Sequence, residues 1–286
     1  MTDQKTIVVT GASDGIGLES ASQLAAQGHH VVLVGRRPDK VTAAVKRIRH
    51  ESPDVPIESF VCDFSSFAPV RELADQLLAS YPRIDVLVSN AGTVFDKRTV
   101  TADGNEATFQ VNHLAGFLLT ELLLDRLVAS APARVVITSS VGSYRGKLDL
   151  DDLGLERGYS IMRAYDRSKL ANVLYTRELA ARLHGTGVTV NCLHPGAVAT
   201  NIWSGAPWFA KPVLELAKRV FMDSPATGGS RLTYLATSPE VAERTGGYYE
   251  KNRTKEPAEL GQDAALGERL VATSRELVGL DAPLPG

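Results

Sequence analysis

The stretch "TIVVTGASDGIG", residues 6–17, joins a short β-branched run to a turn with three glycines. "TIVVT" (6–10) predicts a strand, and a helix is predicted to open near Gly15 and to run to about Gly28. A glycine-rich turn between a strand and a helix lets the backbone approach a pyrophosphate, and the helix amino terminus offers free N–H groups. Glycine is also the ordinary residue of any tight turn, so a turn without a ligand is the alternative at this point.

From this turn to about residue 193, short β-branched runs alternate with amphipathic stretches, which is typical of parallel strands joined by crossover helices. Further strands are predicted at 30–35, 57–62, 84–89, 134–139 and 187–194, and helices at 39–50, 66–80, 104–130 and 160–184. From Pro195 onward the alternation of strands and helices is less regular, and a helix (225–237), a strand (246–250) and a last helix (257–277) are predicted. The predicted fold class is α/β: one doubly wound Rossmann domain over residues 1–286, with a parallel sheet of about seven strands and helices on both faces. Its ligand crevice is expected at the carboxyl ends of the strands.

Composition and charge favour a small-molecule partner. The 286 residues include 31 basic and 33 acidic side chains, for a formal charge of −2, and neither sign is collected into long runs, so nothing points to nucleic acid. Cys62 and Cys192 are too few for a disulfide framework and lie in apolar runs, so both are predicted to be reduced core thiols. No metal site is predicted.

The amino-terminal residues enter the first strand almost at once, which leaves no room for a signal peptide and predicts a cytoplasmic protein. The most apolar helix (114–130) is interrupted by Glu121, Asp125 and Arg126. It is also shorter than the roughly 20 apolar residues that a membrane span needs, so no transmembrane segment is predicted. We expect it to be a core helix or a subunit-interface helix.

The end of the second strand, Gly35-Arg36-Arg37, bears on the choice of a nicotinamide coenzyme. An acid at this position usually receives the ribose hydroxyls of NAD, whereas an arginine suits the 2′-phosphate of NADP. NADP(H) is therefore preferred, with NAD(H) as the alternative, and Arg36 is the better candidate with Arg37 as a helper. Two solvated arginines on an exposed turn would look the same. Asp14 argues the other way, because its charge would lie close to a 2′-phosphate. Asp63 after the third strand is placed either to accept from an adenine amino group or to cap the next helix.

"YDRSK", residues 165–169, separates a phenol from an ammonium by four positions. On a helix these positions share one face, and a nearby cation lowers the pKa of a phenol, so that Tyr165 becomes a usable acid or base near neutrality. Such pairs also occur by chance on exposed helices. Ser139 and Ser140 end the fifth predicted strand, and "SNAG" (89–92) ends the fourth, so several strand ends converge on the same edge.

The ordered set "TGASDGIG", "SNAG", "VVITSS", "YDRSK" and "HPGAVAT" resembles the short-chain dehydrogenase/reductase family over about residues 5–250, and "AYDRSKLANVLYTRELAARL" is similar to its retinol-dehydrogenase-like branch. The resemblance implies that Tyr165 exchanges a proton with the substrate oxygen, that Lys169 lowers its pKa and holds the nicotinamide ribose, and that Ser140 orients the oxygen. Asn112 would support a water that reaches Lys169. The implied coenzyme-binding residues are Gly11, Ser13, Asp14, Gly15, Ile16, Gly17, Arg36, Arg37, Asp63, Phe64, Asn90, Ala91, Gly92, Tyr165, Lys169, Pro195, Gly196, Val198 and Thr200. Because side chains alternate along a strand, only one of Ser139 and Ser140 can face the coenzyme, and the resemblance selects Ser140.

The expected activity is interconversion of a carbonyl compound and its alcohol. Residues 200–224, with two tryptophans and other apolar side chains, are predicted to cover the substrate, which favours a lipophilic one. The alternative is that they cover the core or a neighbouring subunit. The loop 146–160 is expected to border the same mouth. A non-catalytic redox sensor and a sugar-nucleotide epimerase or dehydratase are the competing functions. The resemblance also suggests a homodimer or homotetramer built on helices 114–130 and 160–184.

Overall fold

The computed structural model describes residues 4–196 and 223–280, and within them the strands form one eight-stranded sheet. The strands are β1 (Thr6–Thr10), β2 (His30–Gly35), β3 (Ile57–Val61), β4 (Val86–Ser89), β5 (Ala133–Thr138), β6 (Val188–His194), β7 (Tyr248–Glu250) and β8 (Arg253–Lys255). Their order is β3-β2-β1-β4-β5-β6-β7-β8. All neighbours pair in parallel except β7 and β8, which are antiparallel. The predicted parallel sheet is confirmed.

The antiparallel strand β8 was not predicted. Lys251 and Asn252 form the two-residue turn before it, with φ of 49° and 62°. Two successive residues with positive φ are the backbone of the tight hairpin turns that join antiparallel strands. The sequence offered only Asn252 as a signal for this turn, because glycine is absent from both central positions.

The helices of the described residues are α1 (Gly15–Ala26), α2 (Pro38–Glu51), α3 (Phe67–Ser80), α4 (Ala107–Phe109), α5 (Ala115–Leu122), α6 (Leu124–Ala129), α7 (Ile161–Arg182), α8 (Pro225–Thr237) and α9 (Ala264–Leu277). The prediction of one helix over 104–130 was wrong. The Glu106 carboxylate accepts from the amides of Thr108 (2.8 Å) and Phe109 (2.9 Å), so the helix starts later. A π-helical turn over Gln110–Leu114 then separates α4 from α5.

Apolar side chains fill both faces of the sheet. Within β1, Ile7 and Val9 belong to the core beneath α1, α2 and α8, whereas Val8 belongs to the core beneath α3, α5 and α7. All three are fully buried. Cys62 and Cys192 are buried free thiols, as predicted. This two-sided packing confirms the doubly wound arrangement, and it leaves the carboxyl edge of the strands for a ligand.

The C-terminal helix α9 packs on α7 and reaches α5. Arg275 lies 3.0 Å from the buried carboxylate of Glu121, which also accepts from the Tyr175 hydroxyl at 2.9 Å and pairs with Arg182. The last helix therefore covers part of α7 and the Glu121 end of α5, and the predicted homo-oligomer stays a prediction. Among the described helices, none combines the length and the apolar character that a bilayer crossing requires.

Candidate active site

The carboxyl ends of β1, β2, β4, β5 and β6 open into a cleft of about 540 Å³. Most of the residues predicted for the site line this cleft: Gly11, Ser13, Asp14, Gly15, Ile16, Arg36, Arg37, Asp63, Phe64, Asn90, Ala91, Gly92, Ser140, Tyr165, Lys169, Pro195 and Gly196. Gly17 and Asn112 lie behind its wall. Val198, Thr200 and the predicted cover up to residue 222 lie outside the described residues. The loop 146–160 was expected at the mouth, but none of its residues lines the cleft.

The glycine-rich turn after β1 is shaped by packing. Gly11 has φ +66°, and Gly15 has φ +57°, both in the region that favours glycine. A Cβ added to Gly17 would lie 2.3 Å from the Gly11 carbonyl oxygen and 2.6 Å from the Asn90 side-chain nitrogen. Gly17 therefore allows α1 to approach the turn closely, and its predicted contact with the coenzyme stays a prediction. Gly15 and Ile16 of the first turn of α1 line the cleft, where a helix amino terminus suits a phosphate.

The two arginines after β2 are in different environments. Arg37 pairs with Asp39 through two hydrogen bonds, of 3.1 Å and 2.6 Å. Arg36 is exposed on the cleft and makes no hydrogen bond or ion pair with any described residue. Its guanidinium is therefore the one available to a phosphate, whereas the helper role predicted for Arg37 competes with Asp39.

Lys40 is a cleft residue that the sequence reasoning missed. Its ammonium forms an ion pair with the Asp14 carboxylate, which also accepts from the Gly15 amide at 2.8 Å. The negative charge that argued against NADP is thereby neutralised. Lys40 is the third residue of α2. The sequence does not show that the first turn of α2 lies beside the glycine-rich turn after β1; this follows only from the fold.

Asp63 and Phe64 follow β3. The Asp63 carboxylate accepts from the Ser65 amide at 2.9 Å and lines the cleft at the same time, so both predicted roles are open to its two oxygens. Phe64 is buried in the core, and its side chain anchors the turn. Its cleft contact is therefore secondary to packing.

Asn90 holds three strand ends together. Its side-chain nitrogen donates to the Thr10 carbonyl at 3.0 Å, and its side-chain oxygen accepts from the Thr138 hydroxyl at 3.1 Å. The hydroxyl of Thr10 accepts from the amides of Asn90 (2.8 Å) and Ala91 (3.0 Å). The Asn90 side chain therefore fixes the cleft floor, and its second N–H remains for a ligand.

The adjacent serines after β5 point in different directions. Both serines line the cleft, but the Ser139 hydroxyl is used by the protein, since it donates to the Lys169 carbonyl at 2.8 Å. Ser140 lines the cleft, accepts from the Gly142 amide at 3.1 Å and hydrogen-bonds Tyr165. The selection of Ser140 over Ser139 therefore agrees with the geometry.

Helix α7 carries Tyr165 and Lys169 on one face, with the Lys169 Nζ 5.7 Å from the centre of the Tyr165 ring. Burial lowers the pKa of Lys169 to about 8, and its ammonium donates to the Thr138 carbonyl at 3.0 Å. Burial also raises the pKa of Tyr165 above its ordinary value, and the hydrogen bond from Ser140 only partly opposes this. The expected lowering of the phenol pKa is thus not present in the chain alone, because the surrounding side chains exclude water that would solvate a phenolate.

Asn112 lies in the π-helical turn, 4% exposed. Its side-chain oxygen accepts from the Thr93 amide at 2.7 Å, and its side-chain nitrogen donates to the Ser168 hydroxyl at 3.0 Å. Its carbonyl accepts from Asn172 at 3.0 Å. Asn172, one turn after Lys169, was missed by the sequence reasoning, although its spacing places it on the same helix face.

Comparisons with known proteins agree with this geometry. The sequence profile of the short chain dehydrogenase family matches residues 5–207. Human retinol dehydrogenase 13 is 40% identical over 284 residues, covering 98% of this chain and 86% of the relative. A Streptomyces protein named as a daunorubicin C-13 ketoreductase, DnrU, is 41% identical over 276 residues, covering 96% and 93%.

Two solved structures extend the agreement to the fold. A Mycobacterium paratuberculosis protein superimposes with a TM-score of 0.79 at 30% identity, covering 98% of this chain and 96% of the other. A protein from Shigella flexneri, described as a short chain dehydrogenase complexed with NADP, has a TM-score of 0.69 at 27% identity, covering 88% and 98%.

Proposed function

The chain belongs to the short-chain dehydrogenase family and is an oxidoreductase enzyme, and on that premise we propose that it interconverts a lipophilic carbonyl compound and its alcohol with NADP(H). One observation carries the proposal: Ser140, Tyr165 and Lys169 lie in a single cleft whose other end carries Arg36, which has no ion-pair partner in residues 4–196 and 223–280. A site for proton exchange and a site for a phosphate thus belong to one binding surface.

The side chains divide the chemistry among them. Hydride is what a bound nicotinamide coenzyme would supply or accept in this cleft. The Ser140 hydroxyl would hold the substrate oxygen, and the Tyr165 phenol would give that oxygen a proton in reduction or remove one in oxidation. The Lys169 ammonium donates one of its three N–H groups to the Thr138 carbonyl. The other two would hold ribose hydroxyls in the cleft and stabilise a phenolate.

The donor set fits a dinucleotide with an additional phosphate. The first turn of α1 suits the pyrophosphate, and the exposed guanidinium of Arg36 suits the 2′-phosphate. The ion pair between Lys40 and Asp14 removes the repulsion that a bare carboxylate would exert. These charges favour NADP(H) over NAD(H).

Apolar side chains at the mouth favour a lipophilic substrate. Val141 and Met162 line the cleft beside Ser140 and Tyr165, and both are exposed, at 41% and 39%. Large apolar side chains that line a cleft and face water are typical of a binding site for an apolar ligand. The names of the two relatives, which refer to retinol and to the C-13 ketone of daunorubicin, support the same class.

Titration with NADPH and with NADH, followed by fluorescence, tests the coenzyme, and loss of NADPH absorbance with a panel of long and short aldehydes and ketones tests the reaction. We expect tighter binding of NADPH and faster turnover of long apolar carbonyls. Tyr165→Phe should lower kcat by at least about 100-fold while coenzyme affinity is largely kept. Binding without turnover of any carbonyl would favour a redox sensor, and retained turnover in Tyr165→Phe would reject the assigned acid/base.

A further inference from the structure

A chain of buried hydrogen bonds lies behind Lys169 and ends on the C-terminal helix. The Ser274 hydroxyl lies 3.1 Å from Nε2 of His113, and Nδ1 of His113 lies 3.1 Å from Oδ1 of Asn172. The Asn172 side-chain nitrogen donates to the carbonyls of Asn112 and Thr138, each at 3.0 Å. All of these side chains are at most 5% exposed. None of the three side chains lines the cleft.

The direction of every bond follows from the two carbonyls. Carbonyl oxygens only accept, so the Asn172 group that faces them is its NH₂, and its Oδ1 faces His113. His113 Nδ1 must then carry the proton, and Nε2 accepts from Ser274. Burial lowers the pKa of His113 to about 4, so the ring is neutral near neutrality, as this arrangement requires.

Asn172 and Lys169 share an acceptor. The Thr138 carbonyl receives one bond from the Lys169 ammonium and one from Asn172, and the Asn112 carbonyl receives the second Asn172 N–H. Without Asn172, the Thr138 carbonyl would keep only its bond from Lys169, and the Asn112 carbonyl would lose its side-chain donor. A buried carbonyl that lacks a donor is costly, so the Lys169 ammonium, which already bonds the Thr138 oxygen, would be drawn further inward and away from the cleft.

We propose that Asn172, oriented by His113, is a positioning residue that satisfies the two carbonyls and thereby keeps the Lys169 ammonium directed at Tyr165 and the cleft. The inference rests on the proposed function, because it assigns a role relative to that reaction's acid/base. It also gives the last helix, through Ser274, a part in ordering the active site.

The other charged groups near Tyr165 and Lys169 belong to the front of the cleft. Asp166 of α7 and Arg145 face Tyr165 and hydrogen-bond each other at 3.0 and 3.1 Å. His113 faces Lys169 from behind. A change at Asn172 or His113 leaves the Asp166 and Arg145 pair in place, so its effect on coenzyme binding reports on Lys169.

The test measures the Kd for NADPH by fluorescence, without any substrate, because Lys169 is the group that would hold the nicotinamide ribose. Asn172→Leu removes both amide donors at similar size. Thr176→Val is the matched control, since Thr176 is equally buried on the same helix and donates to the Asn172 backbone carbonyl at 2.7 Å. His113→Asn keeps an N–H near the Nδ1 position, whereas His113→Leu of similar size does not.

We expect Asn172→Leu and His113→Leu to weaken NADPH binding about tenfold and to lower kcat about tenfold, with His113→Asn and Thr176→Val close to the parent. Equal Kd values in Asn172→Leu and Thr176→Val would reduce Asn172 to a structural role and overturn the proposal. If Asn172→Leu does not fold, the two His113 variants decide, and equal Kd values there also overturn it. A parent protein that binds NADPH without turnover would refute the proposed function but would leave the comparison of Kd values valid.

Discussion

Replacing Arg36 by alanine is expected to change the coenzyme preference. Arg36 is exposed at the cleft, and its removal breaks no hydrogen bond or ion pair with the residues that the structure describes. The free energy lost on binding is then that of the bond to the 2′-phosphate alone. We therefore expect the fold and the proton-exchange residues to be unaffected.

The expected magnitude follows from the kind of bond. A hydrogen bond to a charged group contributes about 1.5–3 kcal/mol, which corresponds to roughly a 10- to 150-fold weaker Kd for NADPH. The Kd for NADH should stay within about twofold. Because Arg36 is exposed, salt screens the interaction, and the loss should be largest at low ionic strength.

Fluorescence titration of Arg36→Ala with both coenzymes, at two salt concentrations, measures this difference directly. Arg37→Ala is the matched control, and it should affect NADPH much less because Arg37 is already held by Asp39. Lys40→Ala should weaken NADPH binding by unmasking the Asp14 carboxylate. An unchanged NADPH affinity in Arg36→Ala, or an equal loss for both coenzymes, would show that this guanidinium does not recognise a 2′-phosphate.

Three further outcomes follow from the geometry. Ser140→Ala should lower kcat by about 100-fold, whereas Ser139→Ala should keep kcat and cost about 1 kcal/mol in the free energy of unfolding, measured by urea denaturation; equal losses of kcat would contradict the assignment. Gly17→Ala should destabilise the fold by about 1–3 kcal/mol, because its Cβ would meet the turn at 2.3 Å, and unaltered thermal unfolding would contradict that packing. His113 and His194 have folded pKa values of about 4, below the ordinary 6.5, so the unfolded chain takes up protons first as the pH falls. Their contribution to stability is complete above about pH 6.5 and is lost toward pH 4, and urea midpoints that do not fall over this range would argue against neutral burial.

The strands and the cleft were predictable from the sequence because short apolar runs and strand-end residues are local signals. Two strong signals, the glycine turn and the spacing of Tyr165 and Lys169, fix where a ligand and a reacting group lie. Predictions failed where one local feature overrode periodicity, as when the Glu106 carboxylate delays the start of the helix predicted from 104. The turn at Lys251 and Asn252 was not predicted, because it adopts positive φ without the glycine that usually signals such a turn.

Contacts between distant segments were the least predictable part of the site. Lys40 and Asp14 are 26 positions apart, and their ion pair depends on how two turns are set by the sheet. The raised pKa of Tyr165 likewise depends on burial, which no spacing rule shows. Sequence patterns identified the groups that react, but the surroundings that set their charges needed the folded chain.

The contact of Ser274 with His113 has a consequence for biosynthesis. Strands β1 to β6 leave the ribosome long before residue 274, so the nascent chain can assemble its cleft while the support behind Lys169 is still incomplete. A chain truncated before α9 would then contain every described cleft residue but would lack the hydrogen bond from Ser274 to His113. Full activity of this protein is expected only after the last helix has packed.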